Sequence, residues 1–132
     1  MISHALARRL RDGGVRWHPA PGDRFYVADR GMDDVFTLSE MTVEMHEFPG
    51  GREIAFNGTV EWALDSVEAG QSVWLPSEAQ LRELLGVAFH SLIRAGGGWQ
   101  VSVRVDGNVR KFGCADAAEA YGLALLYLVT GA

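Results

Sequence analysis

The chain has 132 residues, of which 48% are hydrophobic and 22% charged, and its net charge is −5. These values predict a single globular domain over residues 1–132 with its own core, and they disfavour an extended nucleic-acid surface, which needs clustered cations. The one cysteine, Cys114, excludes an internal disulfide framework and a multi-cysteine zinc site, and it favours a reducing, cytoplasmic location.

Neither end of the sequence predicts export or a membrane span. Residues 1–12 contain three arginines and no uninterrupted apolar core, unlike a signal peptide. Residues 120–132 carry no charge, but their apolar run is about half the ~20 residues that a membrane-spanning helix requires. We therefore expect a buried C-terminal helix and no membrane partner.

The first elements predicted along the chain are a helix and two short strands. The helix is expected over residues 3–12, where Gly13-Gly14 ends it. After a proline-rich connection, residues 24–28 and 35–38 are typical of strands, with a loop over residues 29–34.

A hairpin is predicted next. Apolar and polar residues alternate over 41–48, Pro49-Gly50-Gly51 supplies a turn, and residues 52–56 return as the partner strand. Residues 59–67 are ambiguous and could form a short helix. A loop then leads to an extended segment that carries Trp74.

The middle of the chain predicts an amphipathic helix that begins with a capping box. Ser77 is placed to cap it, and Gln80 stands three residues on. Apolar residues follow at the three-to-four spacing of one helix face: Leu81, Leu84, Leu85, Ala88, Phe89, Leu92 and Ile93. Gly96-Gly97-Gly98 is expected to stop this segment.

A second hairpin and a last helix complete the predicted order. Residues 99–105 alternate as a half-buried strand, Asp106-Gly107 is a favoured hairpin turn, and residues 109–112 run back. Asp116 is expected to cap the final helix, with Glu119 at the capping-box position. This order favours an α+β domain, an antiparallel sheet built from hairpins with about three helices packed mainly on one face.

The search for catalytic and metal-binding patterns is mostly negative. The four histidines are far apart in the sequence, and although His46 and Glu44 could join a metal site, we predict no metal. Cys114 precedes a helix N-terminus, which can lower the pKa of a thiol, but a small core residue is the favoured interpretation. Motifs of serine hydrolases, zinc proteases and P-loop proteins are missing, so we expect no cofactor.

Candidate binding residues are acidic or aromatic. Five of them could line an acidic cleft for an anionic substrate, although a solvated acidic face is the more ordinary interpretation: Asp33, Asp34, Glu44, His46 and Asp65. Trp62 and Trp74 belong to a set of four tryptophans, and two of these together at the surface would mark a ligand or protein site.

Four stretches resemble a known family. They are Phe56–Thr59, Glu61–Val67, Trp74–Leu81 and Ala118–Leu128. Together they resemble a family of small actinobacterial proteins, some of which carry the label pilus assembly protein (CpaE). The resemblance covers most of the chain and brings no catalytic motif with it. The Trp-Leu-Pro segment, the later tryptophan-led strand and the final helix are also similar to small phage proteins over about half the chain.

The function expected from the sequence is that of a non-enzymatic binding or adaptor protein. Such a protein would act through the open face of the sheet or through self-association, and the uncharged final helix, which is apolar nearly all round, predicts a homodimer. Two alternatives stay open at this point. One is a small enzyme with an acidic cleft, and the other is an antitoxin-like, nucleic-acid-associated regulator, for which nucleic acid is an unlikely partner at this net charge.

Overall fold

Helices stand near both ends and in the middle of the chain and alternate with short antiparallel strands in the computed structural model. The structure describes residues 1–28, 34–39, 43–48, 51–56, 66–68 and 72–131. The helices are α1 (His4–Asp12), α2 (Glu78–Leu85) and α3 (Ala117–Thr130). The strands are β1 (Arg24–Val27), β2 (Phe36–Thr37), β3 (Val43–Phe48), β4 (Gly51–Phe56), β5 (Ser66–Glu68), β6 (Ser72–Trp74), β7 (Phe89–Ala95), β8 (Gly98–Val105) and β9 (Asn108–Cys114).

The predicted α+β class with antiparallel pairing is confirmed. The strands among the described residues form three three-stranded sheets, in the orders β2-β1-β6, β3-β4-β5 and β7-β8-β9. By their contacts, the residues divide into two compact units: unit 1 is Met1–Arg16 with Leu75–Ala132, and unit 2 is Trp17–Trp74. The single domain over residues 1–132 stays a prediction.

In unit 1, the residues just before α1 are hydrogen-bonded to the N-terminal end of α3. Ser3 caps α1, and its own backbone N–H donates to the Glu119 carboxylate at 2.5 Å. The Met1 amine donates to Asp116 at 2.8 Å. Further along, Gly122 allows close approach, since a Cβ there would lie 2.6 Å from Leu6 Cδ2. The predicted first helix is therefore confirmed.

Both hydrogen bonds of the α2 capping box are present, since the side chains of Ser77 and Gln80 each accept from the other's backbone N–H. The helix is nevertheless shorter than predicted. It ends at Leu85, and Gly86 follows with φ +58 and ψ −133, outside the right-handed helical region. A 3₁₀ turn (Gly86–Ala88) then leads into β7. The prediction of a helix as far as Ile93 was wrong, because Phe89 and Leu92 meet β8 as strand residues opposite Val103 and Val101.

A tight meander of β7, β8 and β9 confirms the predicted second hairpin. Gly96 and Gly97 join β7 to β8 with φ +56 and +82, and Asp106 and Gly107 join β8 to β9 with φ +50 and +79. Two consecutive positive φ values are typical of the type I′ turn, whose twist matches that of the strands it connects. The predicted turn at Asp106-Gly107 is thus confirmed, and Gly96-Gly97 forms a second turn of this kind.

The final helix lies at the centre of unit 1. It contacts α1, α2, β8 and β9. Its Tyr121 ring lies 5.8 Å from the Phe89 ring, and its Tyr127 ring lies 5.7 Å from Phe112. Eight of its residues are buried: Ala117, Ala118, Ala120, Tyr121, Gly122, Ala124, Leu125 and Leu126. The absence of charge after Glu119 in this helix is explained by its neighbours within unit 1.

Unit 2 contains the two other sheets. The predicted strand over residues 24–28 is seen as β1, that over 35–38 as the two-residue β2, and the predicted first hairpin as β3 and β4. A small core of Phe25, Val27 and Leu38 is flanked by two further rings, Trp17 and Phe36. For the ambiguous segment 59–67, residues 59–65 lie outside the described part of the chain, and residues 66–67 belong to β5 and are not helical.

Among the described residues, none of the helices combines the length and the apolar character needed to cross a membrane.

Candidate binding surface

Only some of the residues predicted as a site lie in the part of the chain that the structure describes. Glu44 and His46 occupy β3, at positions paired with Ala55 and Glu53 of β4. Asp34 is exposed. The remaining acidic candidates, Asp33 and Asp65, and Trp62 lie outside the described residues. Within the described part of the chain, no three His, Cys, Asp or Glu side chains come close enough together to hold a metal ion.

Trp74, the remaining candidate, is half-buried at the end of β6. Its indole Nε1 and the hydroxyl of Ser72, two residues earlier on the strand, are buried without a hydrogen-bond partner among the described residues. Trp17 differs, because its Nε1 donates to Asp23 at 2.9 Å. Trp74 and Ser72 therefore each bury a polar atom that makes no hydrogen bond to the described residues. No second tryptophan is described beside Trp74 at the surface.

A different surface is built by the β7-β8-β9 sheet. One face of this sheet meets α3 through Phe89 and Phe112. Since successive side chains of a strand point to opposite faces, the strand register assigns an alternating set to the other face. This set, which we name the outer sheet face, is Ser91, Ile93, Gln100, Ser102, Arg104, Val109 and Lys111.

The outer sheet face combines two cations with exposed apolar side chains. Arg104 stands opposite Val109 and Ser102 opposite Lys111, so the two cations are diagonal neighbours, about 7–8 Å apart by backbone spacing. Both are exposed, and neither has an ion-pair partner among the described residues. Ile93 and Val109 are 48% and 41% exposed. The arrangement is a small basic patch with apolar flanks.

The other cations of this sheet are already engaged within unit 1. Arg94 lies over the Trp99 ring at 5.2 Å, and Arg110 over the Tyr127 ring at 4.7 Å. Both belong to the α3 side of the sheet by register. Arg104 and Lys111 are therefore the cations that this sheet presents outward.

The two edges of the sheet differ in character. Strand β9 carries Arg110 and Lys111, and charged side chains on an edge disfavour the addition of another strand. Strand β7 has a bulge between Phe89 and Ser91 and pairs regularly from Ser91 to Ala95. Its basic residues are His90 and Arg94, and it contains no acidic residue. The β7 edge is thus the less protected of the two.

An open groove lies at the turn between β7 and β8. Its volume is about 410 Å³, and it is lined by residues 95–100 and 113–115. Gly98 fits here because a Cβ would lie 2.5 Å from the Cys114 carbonyl oxygen. The groove walls are largely backbone, with Trp99 and Cys114 as the larger side chains.

Cys114 has the character of a thiol and not of a thiolate. Burial raises the pKa of the Cys114 thiol, and the negative charges of Glu119 and Asp116 raise this pKa further. Since the thiolate is the nucleophilic form, this rise in pKa disfavours nucleophilic chemistry at Cys114. The side chain is half-buried at the groove, and so more open than the small core residue that the sequence favours.

Arg104 and Lys111 are not among the site residues predicted from the sequence, although the sequence contains a signal for them. The alternation of residues 99–105 assigns Arg104 to the face opposite Val103, and a two-residue turn at Asp106-Gly107 then fixes the register that brings Lys111 beside it. The pair was not predicted because the negative net charge of the whole chain argues against a basic binding surface.

No protein-family model, curated protein or solved structure matches the chain.

Proposed function

We propose that this chain is a non-enzymatic binding protein whose outer sheet face docks an acidic protein partner. The observation that carries the proposal is the pair Arg104 and Lys111, exposed, adjacent and without ion-pair partners in the described part of the chain. A complementary acidic surface would steer the encounter and fix its orientation, while Ile93 and Val109 supply apolar area to bury.

A protein partner fits this face better than a nucleic acid. The outer sheet face carries no aromatic side chain on which a base would stack, whereas single-strand binders depend on such stacking. Two adjacent cations also neutralise few phosphates, and DNA-binding proteins commonly contact about 6–10 of them. The antitoxin-like alternative is therefore the weaker one for this surface.

Three further parts of the proposal come from the sequence. They are a cytoplasmic location, a homodimer, and a relation to pilus assembly of the kind that the family resemblance implies. The dimer through the C-terminal helix stays a prediction, and the covered position of α3 within unit 1 leads us to place the partner contact on the outer sheet face instead.

The test uses labelled poly-L-glutamate as the probe and follows its fluorescence anisotropy at low salt. We expect the wild-type chain to bind it, and the double variant Arg104→Glu/Lys111→Glu to bind about tenfold more weakly, a loss of about 1.4 kcal/mol. About 0.5 M salt should abolish binding, because it screens exposed charges.

The matched control is Arg8→Glu/Arg9→Glu on α1, which makes the same change in charge at two exposed residues of the same unit. It should retain most of the binding. Equal losses in the two double variants would overturn the proposal, because general charge would then explain the binding. Tighter binding of a single-stranded oligonucleotide through Arg104 and Lys111 would also overturn it in favour of a nucleic-acid partner.

A further inference from the structure

One polar side chain of the outer sheet face is buried and has no hydrogen bond. Ser102 stands on the central strand β8 and is 3% exposed. Its hydroxyl makes no hydrogen bond within the described part of the chain. A buried hydroxyl without a partner costs stability, and folded proteins contain few such groups that no ligand or ordered water satisfies. Ser102 is therefore a position at which a bound group would gain a hydrogen bond.

Ser102 belongs to a row of three hydrogen-bond donors that crosses the sheet. The strand register places Ser91 of β7 on one side of it and Lys111 of β9 on the other. Neighbouring strands lie about 4.8 Å apart, so these three side chains leave the face side by side. Arg104 follows two residues after Ser102 on the same face. Two hydroxyls and two cations thus adjoin, and none of the four side chains has a hydrogen bond or ion pair among the described residues.

This set of donors fits a phosphate monoester better than a carboxylate. A phosphate monoester carries about two negative charges at neutral pH and three strong acceptor oxygens. Its charge balances both Arg104 and Lys111, and its oxygens suffice to accept from Ser102 as well. A carboxylate carries one charge on two oxygens, and a single arginine satisfies it in a bidentate pair. A carboxylate would therefore leave the buried hydroxyl without a partner.

A protein segment is the source of phosphate that suits this face best. Each phosphate within a nucleic-acid strand is a diester with one negative charge, so it balances only one of the two cations. Ile93 and Val109, on the same face, are 48% and 41% exposed. A short phosphoserine or phosphothreonine side chain keeps the residues that flank it close enough to the sheet to cover this apolar area.

We propose that the outer sheet face binds a phosphorylated serine or threonine of its protein partner, with the phosphate above Ser102 and between Arg104 and Lys111. This inference rests on the proposed function and names the group that is recognised. The charge of the surrounding unit supports it, since unit 1 contains nine of the 12 basic residues and six of the 17 acidic ones, for a net charge of +3. Phosphorylation of the partner then controls the association.

The test compares two labelled peptides by fluorescence anisotropy. Both have the sequence Leu-Glu-X-Glu-Leu, in which X is phosphoserine in one peptide and glutamate in the other. We expect the wild-type chain to bind the phosphoserine peptide about tenfold more tightly, because hydrogen bonds to charged groups are the stronger ones. Ser102→Ala should remove most of this preference and change the affinity for the glutamate peptide by less than about twofold. Arg104→Glu/Lys111→Glu should weaken the binding of both peptides.

The matched control is Ser102→Thr, which keeps a hydroxyl at the same position and introduces a residue type that suits strands. It should retain the preference for phosphoserine. Thermal melting without peptide shows whether the variants are folded. Ser102→Ala should melt no lower than the wild type, because it removes a buried hydroxyl that has no partner. A clearly lower melting temperature would show that this hydroxyl is bonded within the protein, and would overturn its assignment to the site.

The outcomes separate this inference from the proposed function. A wild-type chain that binds both peptides equally, or a Ser102→Ala variant that keeps the full preference, would overturn the phosphate site and leave the acidic-partner proposal standing. Inorganic phosphate that binds as tightly as the phosphoserine peptide would overturn the protein segment as the source. A 5′-phosphorylated oligonucleotide that binds more tightly and depends on Ser102 would overturn it in favour of a nucleic acid. If neither the peptides nor poly-L-glutamate bind, both proposals are wrong.

Discussion

Gly98 shows how a single residue sets the geometry at one end of the β7-β8-β9 sheet. The backbone there passes so close to the end of β9 that a Cβ would lie 2.5 Å from the Cys114 carbonyl oxygen and 3.1 Å from Ala115 Cα. Both neighbours are backbone atoms and cannot rotate away, so a larger residue has to displace a strand.

We therefore expect Gly98→Ala to lower the free energy of unfolding by about 1–3 kcal/mol, the usual cost of overpacking. The control is Gly113→Ala on the adjoining strand, where the nearest atom to a Cβ is the Trp99 carbonyl oxygen at 3.7 Å, an ordinary contact. This variant should change stability by less than about 1 kcal/mol. Urea denaturation measures both, and equal effects in the two variants would show that the close approach at Gly98 is not what matters.

At the scale of single residues, the sequence predicts the structure best where a residue type has one favoured role. Ser77 and Asp116 cap the helices predicted for them, because a short polar side chain before an apolar run favours the cap position. Ser3, which the prediction placed inside the first helix, caps it as well. The tight contact at Gly98 could not be predicted, since it depends on how the end of β9 crosses the end of β8. In the sequence, Gly96-Gly97-Gly98 looks like a simple stop signal.

At the scale of elements, Asp116 links the N-terminal end of α3 to Met1, which lies just before α1. Its carboxylate caps α3 by accepting from the backbone N–H groups of Ala118 and Glu119, and it also accepts from the Met1 amine. The hydrogen bond from the Met1 amine is the largest cause that lowers the pKa of Asp116, and the two backbone bonds lower this pKa further.

A lowered pKa in the folded state means that Asp116 stabilises the protein at pH values above its unfolded pKa, and that this stabilisation is lost as the pH falls through its folded pKa. Asp116→Asn keeps a capping oxygen but loses the charge. We expect it to be less stable than the wild type at neutral pH by under about 1 kcal/mol, because the pair is exposed and screened by solvent. The difference in melting temperature should shrink as the pH falls below the ordinary pKa range of an aspartate, and a difference that stays constant as the pH falls would contradict this account.

The middle helix shows where element prediction fails. Apolar residues at three-to-four spacing continue from Leu81 to Ile93, and the pattern alone favours one long helix. The chain instead leaves the helix at Gly86, and a bulge after Phe89 shifts the strand phase so that Phe89 and Leu92 both face the α3 side. A bulged strand reproduces helical spacing over a few residues, so only the pairing with β8 distinguishes the two.

At the scale of the whole molecule, the single domain that the sequence predicts has a direct consequence for unfolding. One cooperative domain unfolds in one transition, and destabilising either unit shifts that same transition. The matched pair is Leu81→Ala in unit 1 and Leu38→Ala in unit 2, both fully or nearly fully buried. Each should cost about 2–5 kcal/mol.

We expect the urea transitions followed by tryptophan fluorescence and by far-ultraviolet circular dichroism to coincide in the wild type and in both variants. A variant in which the two probes separate, so that one unit unfolds before the other, would show two domains in place of one.

The candidate surface is also a property of the whole molecule, and for that reason the sequence revealed little of it. A net charge of −5 argues against a basic surface, and the argument holds only while the charge is spread evenly. The net charge is +3 for unit 1 and −8 for unit 2. This division depends on which distant segments fold together, since unit 1 joins residues 1–16 to residues 75–132. No local pattern contains that information.

The contact between α1 and α3 has a consequence for the order in which the protein is made. On the ribosome, Ile2, Leu6 and Leu10 emerge before Glu119 and Gly122, which hold α1 in place. Ser3 and Glu119, which are joined by a hydrogen bond, are 116 positions apart. In the nascent chain, the apolar side of α1 therefore lacks its native packing partners until α3 has been synthesised. A chain cut short before residue 117 would keep that surface exposed, and such surfaces attract chaperones and proteases. Synthesis of α3 thus provides the native cover of α1.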